Sequence, residues 1–194
     1  MRRPLVYIIL AIVCTFGTAT TFSQSASSST LATDVTHLDI RKVVDAPRTP
    51  ENGTDRLIRH VNIGPYNVGI AVLRRGASAP EEKGRPLTGI MHSKVTEIYY
   101  VTSGSGMLHT GGEMKDIRPM AADSFLVTTV VGPGANGTFV KPAQSRRISA
   151  GDMIIIPAGV YHGVSDIDDH LEYVTVRPDA EKVLPAGYVN PALK

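Results

Sequence analysis

The sequence predicts an all-β domain, and three observations lead there. Short runs of β-branched and aromatic residues recur along the body of the chain. Nearly every break between them contains Gly, Pro, Asn or Asp, and no ten-residue window of the body repeats apolar residues at helical spacing. That pattern belongs to a sandwich or barrel of short strands. The β-type runs are 59–63, 68–74, 88–92, 97–102, 107–110, 125–131, 138–140, 153–156, 160–165 and 172–177. A small helix is expected near 180–184, an exposed loop at 76–86 and a longer hairpin loop at 132–137.

With 194 residues and 42% hydrophobic composition, the chain can bury a core without disulfides or metal staples. Residues 1–25 read as a secretory signal: Arg2 and Arg3, then an apolar run over 5–13, then small and polar residues. The apolar run is shorter than the ~20 residues a spanning helix needs, so no stable membrane association is expected after cleavage. The expected organisation is a signal peptide at 1–25, a flexible lead-in at 26–54, one barrel domain at 55–180 and a C-terminal tail at 181–194. A secreted or periplasmic location follows from the signal.

The single cysteine, Cys14, lies within that signal, so cleavage leaves neither a disulfide nor a thiol nucleophile. Removing two arginines and no acid takes the formal charge from +2 to 2 − 2 = 0. A neutral body gives no electrostatic footprint for nucleic acid or anionic lipid. No Gly-rich phosphate loop precedes a helix. The expected partner is a small molecule, with a homodimer as the expected assembly because exposed strand edges invite pairing.

The most informative stretch is 151–166. Met153 to Ile156 is a short apolar run with Gly151-Asp152 before it and Pro157-x-Gly159 after it, so the chain reverses and returns over 160–165. His162 then stands near the start of the returning strand. The order Gly151-x5-Pro157-x-Gly159-x2-His162-x3 resembles the second signature motif of the cupin superfamily, with Asp166 where that pattern usually has Asn. Upstream, Glu97 and Gly104 keep the Glu-to-Gly spacing of the first cupin motif. There a His-x-His pair precedes the Glu; here only His92 remains, with Ile90 or Lys94 at the partner position, depending on which histidine His92 represents.

The resemblance covers roughly 59–177 and implies a double-stranded β-helix, a jelly-roll barrel of two antiparallel sheets with its site between them. It also implies a divalent metal held by His92, Glu97 and His162. Two imidazoles and one carboxylate suit iron and also accept manganese, zinc or copper. Against that stands a plainer reading, in which the histidines are hydrogen-bonded interior residues and Glu97 is paired with Lys94 or Arg177. His109, on the next β-type run, is a candidate replacement ligand. Tyr99 shares the face of Glu97 by strand alternation, and Tyr99 and His109 are the candidate proton donors. Arg146, Arg147, Arg177 and Lys94 are candidates to recognise a carboxylate. Members of this superfamily include dioxygenases, isomerases and sugar-binding proteins. A metal-dependent oxygenase or isomerase is therefore set against a non-catalytic binding module with a degenerate metal site.

Overall fold

The computed structural model describes residues 32–49, 53–79 and 84–194. The expected signal over 1–25, with Cys14, lies outside the described residues. Eight strands form the body: β1 (Asp55–Asn62), β2 (Asn67–Gly76), β3 (Thr88–His92), β4 (Glu97–Pro119), β5 (Gly134–Ser149), β6 (Met153–Ile156), β7 (His162–Ser165) and β8 (His170–Asp179). All pair antiparallel. One sheet runs β1-β2-β8-β4-β6, and the other joins β4, β5, β3 and β7. The 23-residue β4 serves both, pairing over 97–104 with β6 and β8 and over 105–119 with β5 and β7. The result is a double-stranded β-helix.

The bend of β4 explains why its middle reads as a break. Gly104 has φ +75°, and a Cβ there would stand 1.9 Å from the His170 carbonyl oxygen, so only glycine fits where the strand leaves one sheet for the other. Between the sheets pack Leu73, Val101, Leu108, Ile148, Leu171 and Tyr173. Most of these are interior positions of alternating strands, and their removal from water drives closure of the barrel.

Several segments differ from the sequence reading. The run 125–131 is not a strand: Leu126–Val131 forms a π-helix. Its Val130 and Val131 pack with Leu57 and Ala71, and the Ser124 hydroxyl accepts from the Val127 amide at 3.3 Å. Tertiary packing there overrides the β-propensity of valine and threonine. The loop expected over 132–137 shrinks for the same reason, since β5 already begins at Gly134.

The second difference is helix α1 (His37–Asp45), within the expected lead-in. Thr36 and Asp39 form a capping box at its start, with reciprocal bonds of 3.1 and 3.0 Å. Its apolar side, centred on Val43, covers Ile58 and Val72 on the outside of the first sheet. The buried Arg56 closes the other end by donating to the carbonyls of Val43, Val44 and Ala46 at 2.6–2.9 Å. Nine residues make fewer than three helical turns, too short for a clear apolar repeat, and the cap only becomes meaningful once β1 supplies Arg56.

The tail over 181–194 is a strap along β1. His60 donates its amide to the Tyr188 carbonyl, Asn190 donates to Ile58, and the Asn190 side chain donates to the Leu57 carbonyl at 2.7 Å. Residues 180–181 are a turn rather than the expected helix, because Asp179 accepts from the amides of Val183 and Leu184 and folds the chain back. The strap covers the free edge of the first sheet. Among the described residues no helix is long and apolar enough to cross a membrane.

Candidate metal centre

The second motif folds as its residues dictate. Gly159 takes φ +84° in the turn between β6 and β7, and its amide donates to the His92 carbonyl at 2.8 Å, tying the two motifs together. Asp166, which stands where the superfamily pattern has Asn, has φ +46°, a left-handed conformation that both residues tolerate. Gly163, beside His162, is required by space: a Cβ there would meet the Thr88 carbonyl oxygen at 2.3 Å.

His92, at the end of β3, Glu97, at the start of β4, and His162, at the start of β7, converge. One ligand atom from each lies within 4.8 Å of the other two, and all three residues are buried. Glu97 Oε2 is 3.1 Å from His162 Nε2 and 3.5 Å from His92 Nε2. These are the separations expected of atoms sharing one small ion at about 2.0–2.2 Å. Ile90 lines the same cavity, whereas Lys94 points away and pairs with Glu181 at 2.9 Å. Of the two partner positions left open by the motif, the isoleucine is therefore the one that faces the cluster.

Of the two partners read for Glu97 from the sequence, Arg177 is the one that meets it and Lys94 is not, while the further link to Asp55 was missed. Arg177, fully buried on β8, donates Nε to Glu97 Oε1 at 2.7 Å, Nη2 to Asp55 and Nη1 to the Val130 carbonyl at 3.3 Å. Tyr99 donates its hydroxyl to Glu97 Oε2 at 2.8 Å. Burial alone would raise the Glu97 carboxyl, but the charge of Arg177, joined by the imidazoles of His162 and His92 when they are protonated on Nε2, outweighs it and holds the group well below its ordinary range. Burial and the neighbouring Glu97 push the Tyr99 phenol well up, so it remains a donor. Burial also raises Asp55, against the pull of Arg177. A signal for Arg177 was present: along β8 the valines at 174 and 176 alternate with Tyr173, Thr175, Arg177 and Asp179, and it is the second set that is fully buried.

The ring of His162 carries the decisive geometry. Its Nδ1 lies 3.1 Å from the Val160 carbonyl, an acceptor, so Nδ1 holds the proton and Nε2 turns its lone pair toward the Glu97 carboxylate. Lone pair against carboxylate is repulsive unless a cation stands between them, either a second proton or a metal ion. With both carboxyls ionised, Glu97 and Asp55 against Arg177 leave one negative charge, which a cation would balance. Among the described residues His92 Nδ1 is buried without a hydrogen-bond partner, so none of them fixes its proton placement. The donor set therefore fits a divalent first-row ion.

His109 does not join this group. It neighbours the inward Leu108 and Thr110 on β4, so alternation turns it to the outer face, where its nitrogens meet the Ser145 and Ser165 hydroxyls at 2.7 and 2.9 Å. The other expected cations are also engaged elsewhere, Arg146 with Asp152 at 3.5 Å and Arg147 with Asp168 at 2.7 Å.

The cluster opens into a cavity of about 300 Å³, lined by Ile90, Leu73, Tyr99, Tyr173 and Val164 from the strands and roofed by Phe125, Leu126, Val130 and Val131. Tyr99 thus meets the cavity as alternation predicts.

No family model matches the chain, and no curated protein matches it. Among solved structures it is similar to the BH2720 protein of Bacillus halodurans, at 12% identity over 85% of this chain and 91% of that one, with TM-score 0.44. KdgF from a Halomonas species is 15% identical over 64% and 76%, TM-score 0.38. A Klebsiella pneumoniae protein with a double-stranded β-helix domain is 15% identical over 64% and 78%, TM-score 0.37. By its own sheets the chain has the double-stranded β-helix fold, the fold that the resemblance of its motifs to the cupin superfamily implied.

Proposed function

We propose that the protein is a secreted, metal-dependent enzyme that acts on a small organic ligand within the barrel, of the oxygenase or isomerase kind. The observation that carries this is the aim of His162 Nε2 and His92 Nε2 at one carboxylate oxygen inside a ligand-sized cavity. A divalent ion held by His92, Glu97 and His162 would supply Lewis acidity at a ligand oxygen. The chain does the rest. Arg177 and Tyr99 fix the Glu97 carboxylate in place, Val160 fixes the tautomer of His162, and the apolar roof keeps water from the reacting atoms.

One observation favours a second reading, a non-catalytic binding module. Both oxygens of Glu97 already accept hydrogen bonds from Arg177 and Tyr99, and a protonated histidine would complete the network without a metal. Metal analysis decides between them. Full-length protein dialysed against Mn²⁺ or Zn²⁺ and then against buffer should retain close to one ion per chain, and His162→Ala should weaken that binding by more than about tenfold with little change in melting temperature. Metal-free wild-type protein after the same treatment would overturn the enzyme reading. Collapse of the variant on melting would show His162 to be a packing residue.

A further inference from the structure

We propose that Arg75 is the anion-recognition residue of this cavity, so that the ligand is a small organic acid whose carboxylate docks at the mouth; this rests on the cavity being the functional site proposed above. On β2, Leu73 and Arg75 turn inward while Arg74 turns outward to Glu172 at 3.5 Å. Arg75 is the one arginine or lysine among the residues lining the cavity. Among the described residues it makes no ion pair with a carboxylate, and Tyr173, on the paired strand β8, lines the cavity with it. Arg177, by contrast, is committed to Glu97 and Asp55.

The electrostatics give the position a purpose. Glu97 and Asp55 make the interior unwelcoming to an anion, and a cation at the exposed mouth draws one in and holds its charged end there. A guanidinium beside a phenol offers a carboxylate paired donors with a fixed orientation, which an ammonium would not. The remaining lining, from Ile90, Val164 and the roof, is apolar and suits a short hydrocarbon body. The volume lies at the small end for ligand sites, which favours a compact acid over a sugar.

Calorimetric titration of the full chain with acetate, pyruvate and benzoate, and with neutral benzamide, tests this, both with Mn²⁺ and after chelator treatment. At least one acid should bind in both states. Arg75→Gln should weaken it about tenfold or more, the loss of a charge-assisted hydrogen bond. Arg75→Lys should recover part of the loss, and benzamide should be indifferent to either change. No binding by any of the three acids, or an affinity unchanged within twofold in Arg75→Gln, overturns the assignment. Binding that depends on Arg75 in protein that takes up no Mn²⁺ supports the assignment and overturns the metal centre, whereas Mn²⁺ uptake without dependence on Arg75 does the reverse.

Discussion

Glu97 and Val101 lie on one face of one strand, four residues apart and both fully buried, yet the barrel around them is built by opposite means. Around Val101 the space is filled by Leu73, Leu108, Ile148 and Leu171. Each of these gains free energy simply by leaving water. Around Glu97 stand two histidines, a tyrosine, an arginine and a second carboxylate. Those groups lose hydration on burial and are held only by one another. The same strand thus carries a half that stabilises the fold and a half that the fold must support.

Breaking each half separates their roles. Arg177→Met should be the most damaging change, lowering stability by about 3–5 kcal/mol in denaturant titration, because it strands Glu97 and Asp55 without their cation. It should also abolish metal uptake. Leu171→Ala should cost about 2–5 kcal/mol through the cavity it leaves, while metal uptake per folded chain stays at the wild-type level. Equal loss of metal in the two variants would show that the halves are not independent.

Acid should sharpen the comparison with the smallest effect. Glu97 is ionised more readily in the folded chain than in the unfolded one, so its contribution is complete above the unfolded value of about 4.3 and is lost as pH falls below it toward the folded value. Asp55, raised by burial, works in the opposite sense and costs stability above its ordinary range. The melting temperature should therefore decline on acidification below about pH 4. Glu97→Gln should flatten that decline, and Asp55→Asn should steepen it. A wild-type melting temperature that rises over that range would contradict the sign.

The apolar half and the second motif were legible in the sequence because their signals are local. Met153–Ile156 is bounded by turn residues that act on their immediate neighbours, and the structure reproduces its limits, as it does those of β3. The trio of His92, Glu97 and His162 was legible from motif spacing, and the structure brings the three together. What holds Glu97 was legible only in part: Arg177 was one of two partners read for it, and Asp55 was not read at all. Arg177 lies 80 residues after Glu97 and 122 after Asp55, so the meeting of the three exists only after the sheets close. The misread π-helix has the same origin: its valines carry the propensity of a strand, and only the pocket made by Leu57 and Ala71 turns them into a roof. His109 was misplaced by overlooking parity, since its neighbours at 108 and 110 were the inward ones.

The bond from Arg177 to the Val130 carbonyl has a corollary. Because the roof lends a backbone oxygen to the guanidinium that anchors Glu97, inserting or deleting a residue between 125 and 131 would swing that oxygen aside and disturb the ion cluster below. Side chains at 125, 126 and 131 can thus be exchanged to reshape the cavity, whereas the length of the segment has to be kept.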